Sequence, residues 1–180
     1  ITNLSVETGF DIRKSEMVDR VIAEDTEHSA VILLAAKTDV DSCEKDKETD
    51  QEVLKKVKSD QEAFFSNNPT AWSINVFGTQ NVVDACRKSN KKVIYISTDF
   101  VFDGNNTPDG GYKETDPASP NCWYAQTKYE GEKIVQTSKI GENRRILVDL
   151  PGVKDASQAA NLVGKTAQLE FRELIASSSG

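Results

Sequence analysis

The sequence predicts an α/β protein with a doubly wound parallel sheet, and three observations predict it. Two apolar runs, residues 30–36 and 92–97, have strand length and lack polar alternation, the pattern of strands buried on both faces. Helical periodicity marks residues 14–23, 72–86 and 124–136. The two kinds of segment alternate as helix, strand, helix, strand, loop, helix, which is how a parallel sheet is wound.

In the first helix Met17, Val18, Val21 and Ile22 recur at helical spacing, with Ser15 placed to cap the start and Asp19, Arg20 and Glu24 facing out. The strand over residues 30–36 follows. Residues 39–62 then carry nine acidic side chains against five lysines, which reads as a solvated surface insertion. The helix over 72–86 has an apolar stripe of Ile74, Phe77, Val82, Val83 and Ala85, and Ser89 and Asn90 mark its end. After the strand at 92–97, Asn, Gly and Pro make residues 105–120 a loop. In the last helix of this series Ala125, Tyr129, Ile134 and Val135 point inward, with Glu130, Glu132 and Lys133 outward.

Composition narrows the function classes. In 180 residues, 22 basic side chains face 29 acidic ones, a net charge of −7 that disfavours unaided binding to nucleic acid. The longest apolar run holds seven residues, against the ~20 needed to span a bilayer, so no membrane insertion is expected. Cys43, Cys86 and Cys122 are far apart and in no metal-ligand spacing, so neither disulfides nor a metal site is expected. The thiols and the lack of a secretory N-terminus suit a cytoplasmic protein, and the absence of an initiating Met suggests a fragment. The single histidine, His28, sits in a polar run and reads as a surface residue; chemistry that needs two histidines is excluded.

In such a sheet, ligands bind beyond the carboxyl ends of the strands. The first strand ends in Ala35, Ala36 and Lys37, small residues that let a flat ligand lie against the backbone; the second ends in Ser97, Thr98 and Asp99. Tyr124 and Lys128, four apart, share a helix face. A phenol is a poor proton donor or acceptor at neutral pH unless a neighbouring ammonium favours its phenolate, and Thr98 could orient the same substrate oxygen. YxxxK alone is common by chance; its place after a strand ending in Ser-Thr-Asp gives it weight.

STDFVFDG at 97–104, YKETDPASP at 112–120 and WYAQTKYEGEKIV at 123–135 resemble the extended short-chain dehydrogenase/reductases, above all the dTDP-4-dehydrorhamnose reductase branch. The likeness also takes in DIRKSEMVDRVI, LAAKTDVDSCE and SINVFGTQNVVDAC, and spans residues 11–136. It implies a partial Rossmann-like fold and an NADP- or NAD-dependent reduction of a nucleotide-sugar 4-keto group. By the same resemblance Tyr124 is the acid-base catalyst, Lys128 its pKa modifier and a cofactor ligand, Thr98 the orienting hydroxyl, and Asn75 the support of the proton relay. Ala35, Ala36 and Lys37 line the cofactor, and Asp11 and Ile12 match its adenine-side contacts.

Three departures accompany the resemblance. The family's opening strand, glycine-rich turn and helix, ~30 residues long, has no counterpart before Asp11, so the residues that would carry the pyrophosphate are missing. Residues 39–71 are longer than the family needs. Residues 144–175 resemble a segment of SecD-type protein-export subunits, read as strand 146–150, turn 151–152, helix 156–163 and strand 169–171. GKT at 164–166 lacks the first glycine of a phosphate loop, because Ala159 stands there. The chain therefore reads as a chimera: an incomplete reductase core over 1–141, a β-α-β segment over 142–176 and a flexible tail over 177–180. Residues 144–150 equally fit the reductase's own next strand. The function expected is that of a reductase with little or no turnover from this chain alone. The alternatives are a non-catalytic fragment or regulatory subunit, as a homodimer or with a heteromeric partner, or a part of a protein-export complex.

Overall fold

A computed structural model describes residues 2–105, 107–108, 111–113, 115–138 and 147–148. Helix α1, Ser15–Glu24, buries Val18 and Ile22, four residues apart, on the face that meets the core. Ser15 opens the helix as its first residue; Lys14 takes the cap position and makes no side-chain cap bond. Strand β1, Ala30–Leu33, leads through a short loop to α2, Val40–Val53, and α3, Lys58–Asn67. The next helix begins at Ala71, runs as a π-helical segment over Ser73–Gly78 and continues as α4, Thr79–Lys88. It ends where expected, with Asn90 at φ 51. Strand β2, Lys92–Ile96, α5, Trp123–Thr137, and strand β3, Leu147–Val148, complete the described chain.

The three strands are parallel in the order β1-β2-β3, with Ala30 opposite Lys92, Leu33 opposite Tyr95, and Tyr95 opposite Leu147. Val18, Ile22, Leu33, Val82, Val83, Val93, Tyr95 and Val135 form the main core between helices and sheet. Strand β1 departs from expectation: it is four residues long, and Ile32 is 40% exposed. Beyond Leu33 the chain leaves the ladder because the amide and carbonyl of Lys37 bond to the side chain of Asn75 instead. As the terminal strand of the described sheet, β1 is paired on one side only.

Two glycines set how closely the pieces approach. A Cβ on Gly78 would come within 2.6 Å of the Ile12 side chain. One on Gly131, in α5, would lie 2.8 Å from Tyr95 Cζ and 3.0 Å from the Asn75 carbonyl, and nearer still to the Tyr95 hydroxyl. Both neighbours are buried and one is backbone. Alanine at 131 gains about 1 kcal/mol of helix propensity but overpacks a rigid ring, a cost of about 3 kcal/mol. A Gly131→Ala protein therefore loses about 2 kcal/mol in a urea melt; an unchanged midpoint would show that α5 does not press on Tyr95.

The three cysteines are free thiols. Among the described residues no helix is long and apolar enough to cross a membrane. Of the C-terminal expectations, only Leu147–Val148 is described, as a strand; the helix at 156–163, the strand at 169–171, GKT at 164–166 and the tail lie outside the described residues.

Candidate active site at the end of strand β2

The chain leaves β2 through Ser97 and Thr98, whose hydroxyl accepts the Phe100 N–H at 3.3 Å and so caps the short 3-10 turn Asp99–Val101. The same hydroxyl donates to Asp99 Oδ1 at 3.3 Å. Against this exit lies α5. Its Lys128 ammonium donates to the Ile96 carbonyl at 2.6 Å and stands 4.2 Å above the Tyr95 ring, a cation–π contact. Lys128 is 3% exposed, and burial pushes its pKa down to about 7, opposed by the negative charge of Glu132. One turn earlier on the same face, Tyr124 is 9% exposed and meets the Phe100 ring edge to face at 6.0 Å. Beside Phe100 opens a cleft of about 520 Å³ lined by Asp99, Phe100, Phe102, Asp103, Tyr112 and Asn121. Thr98, Tyr124 and Lys128 are thus gathered where β2 ends.

Asn75 sits in the π-helical segment, a backbone form that concentrates at functional sites. Its carboxamide is fully buried and fully used: Nδ2 donates to Lys37 O at 3.1 Å and Thr127 Oγ1 at 2.9 Å, and Oδ1 accepts Lys37 N at 2.7 Å. It ties the exit of β1 to α5, and its amide hydrogens go to Lys37 and Thr127. Ala35, Ala36 and Lys37 form the half-buried loop after β1, and Lys37 Nζ pairs with Asp46 at 2.5 Å. Asp11 and Ile12 lie on the segment before α1. Asp11 holds Arg13 through both carboxylate oxygens, Ile12 is buried against Gly78, and its carbonyl accepts from Asn81.

The stretch expected to be a solvated insertion is built into the site. On α2, Glu44 accepts the backbone N–H of Trp123 at 2.8 Å, and Asp46 accepts that of Ala71 at 2.8 Å. Asp50, wholly buried, accepts the backbone N–H of Trp72 at 3.1 Å and the Trp123 indole N–H at 2.9 Å. These carboxylates satisfy the first amides of the two helices that carry Asn75 and Tyr124, where a helix favours negative charge. Trp72 and Trp123 stack at 5.7 Å beside them. The sequence held one signal of this: Cys43, Asp46, Asp50 and Val53 recur at helical spacing, and Cys43, Asp50 and Val53 are buried. Glu132, read as outward, is also buried and accepts a hydrogen bond from Ser97 Oγ.

The family model described as the RmlD substrate binding domain matches residues 62–172, a range that runs through the segment after residue 141. The dTDP-4-dehydrorhamnose reductase of Aggregatibacter actinomycetemcomitans is 43% identical over 68 residues, 38% of this chain and 22% of that protein. Methionine adenosyltransferase 2 subunit beta of Bos taurus is 41% identical over 76 residues, 42% of this chain and 22% of its own. The crystal structure of dTDP-4-dehydrorhamnose reductase from Bacillus anthracis, in complex with NADP, superimposes with a TM-score of 0.58 at 30% identity, covering 78% of this chain and 40% of the reductase. The chain spans between about a fifth and a third of the length of the curated reductases it matches. With the matched range well over half its length, and with the parallel α/β core in common, the chain belongs to the RmlD substrate binding domain family.

Proposed function

We propose that this chain carries the proton-transfer side of an NAD(P)-dependent reductase acting on the 4-keto group of a nucleotide sugar, of the dTDP-4-dehydrorhamnose reductase kind, in the cytoplasm. The observation that carries the reading is the Lys128 ammonium held at the β2 exit on the helix face of Tyr124. The donor set fits the cofactor's nicotinamide ribose: an ammonium has three hydrogens, and the Ile96 carbonyl takes one. NADPH or NADH, when bound, supplies the hydride. Tyr124 gives the substrate oxygen its proton, the nearby positive charge of Lys128 favours the phenolate left behind, and Thr98, turning its hydroxyl from the long bond to Asp99, donates to the same oxygen. The cleft beside Phe100 suits the sugar, because Asp99 and Asp103 can accept from hydroxyls but would repel phosphates. Asn75 acts through Lys37 and Thr127, holding the two strand exits and α5 in one arrangement.

The glycine-rich turn that carries a dinucleotide's pyrophosphate is not among the 180 residues. NADPH fluorescence titrated with this chain is therefore expected to report a dissociation constant weaker than about 100 µM, and Tyr124→Phe to leave that value within about twofold while removing any turnover of a 4-keto sugar nucleotide. Turnover that survives Tyr124→Phe would remove Tyr124 as proton donor, and no binding at millimolar NADPH would remove the cofactor reading. A second reading, a non-catalytic subunit working with a partner, is favoured by the likeness to a protein named as a transferase subunit. It predicts weak binding and no turnover in either form. Of the two assignments for residues 144–150, we take the sheet's own next strand, supported by the register of Leu147 and Val148 with Tyr95 and Ile96.

A further inference from the structure

Helix α5 grips the end of β2 at two consecutive residues: Lys128 Nζ donates to the Ile96 carbonyl, and Ser97 Oγ donates to Glu132 Oε1. The next residue is Thr98. Glu132 lies one helical turn beyond Lys128, is 5% exposed, and has no part in the proton transfer described above. A buried carboxylate is costly unless its charge is used. We propose that Glu132 is a positioning residue of this site: together with Lys128 it clamps the end of β2 to α5, sets Thr98 in register with Tyr124, and supplies a counter-charge that favours the ammonium form of Lys128. The meaning of that register rests on the reductase reading; the clamp and the charge do not.

The surroundings leave Glu132 as the buried counter-charge. From β2, Tyr95 offers Lys128 a ring, and burial holds its phenol well above the ordinary range and therefore neutral. From the turn after β2, Asp99 is exposed and bonded to Thr98. The π-helical segment and the start of α4 bring Asn75 and Thr79, both neutral, and further along α4 Asp84 is engaged by Gln80 and Arg87. From α2, Glu44 and Asp50 are committed to Trp123. On α5 itself Tyr124 is the other titratable neighbour on this face.

The test is an NMR titration of the chain labelled with carbon-13 at lysine Cε, with Lys128 assigned by its loss in Lys128→Met. Neither cofactor nor sugar is needed, so a chain that reduces nothing still answers. The parent titrates near 7 at Lys128. Glu132→Gln, which keeps an acceptor for Ser97, lowers that midpoint by at least about one unit, a tenfold loss of the charged form at fixed pH. An unchanged midpoint in folded Glu132→Gln protein overturns the proposal. Should that variant fail to fold, Ser97→Ala keeps the charge and cuts the bond: the Lys128 midpoint holds while hydrogen exchange at the Phe100 amide, which the Thr98 hydroxyl accepts, quickens about tenfold. Unchanged exchange there removes the clamp.

Discussion

Between pH 6.5 and 9.5 the parent chain gains about 3 kcal/mol of stability relative to a Lys128→Met variant. Lys128 has an ordinary pKa of 10.5 in the unfolded chain and about 7 when folded, because burial penalises the ammonium more than the Glu132 charge supports it. In that window the unfolded chain binds the proton and the folded chain increasingly does not, so raising the pH favours the fold. The contribution is complete above the unfolded pKa and is lost as pH falls through the folded one. Methionine removes the Lys128 titration, and groups distant from Lys128 keep their own pH dependence, which cancels in the difference. The variant also forfeits the bond to Ile96, which a neutral Lys128 amine still donates, a loss of about 1 kcal/mol; the cation–π contact with Tyr95 leaves with the proton and belongs to the titrating difference. Urea melts of both proteins at several pH values measure the gap. A gap that stays constant would mean that Lys128 keeps its ordinary ionisation, and the site would lose its tuned cation.

The same balance explains which parts of the site the sequence could announce. Residues 92–96 and 123–137 were legible because apolar periodicity and buried face coincide, and Tyr124 and Lys128 share a face by spacing alone. The end of β1 was not. Its apolar run continues to Ala36, but the competing hydrogen bonds come from Asn75, 38 residues away from Lys37. Glu132 reads as a surface residue in any pattern that scores polarity, and only the fold shows that it is buried and accepts from Ser97. The expected insertion failed for the same physical reason. A row of acids looks solvated until the donors that need it, the first amides of two distant helices, are brought alongside.

Asp50 gives that reversal its largest measurable effect. Asp50→Ala strands the Trp72 N–H and the Trp123 indole N–H away from water, which costs about 3 kcal/mol. Asp50→Asn behaves in the opposite way. Its carbonyl oxygen can accept both bonds, and its NH2 takes the place of Oδ1, which accepts neither of them. The parent's carboxyl has its pKa raised, chiefly by burial, with Thr70, Trp123 and Trp72 acting against the rise. A folded-state pKa above the unfolded one gives stability that is complete below the unfolded value and is lost as pH rises through the folded value. Asn escapes that loss, so Asp50→Asn equals or exceeds the parent at pH 7, and its advantage shrinks toward pH 4. Urea melts of parent, Asp50→Ala and Asp50→Asn at the two pH values decide the matter. If Asp50→Asn is as damaged as Asp50→Ala at pH 7, the negative charge itself is what the starts of the two helices require. In the expected order the oxygen does the work, holding Trp123, and with it the neighbouring Tyr124, against the exit of β2.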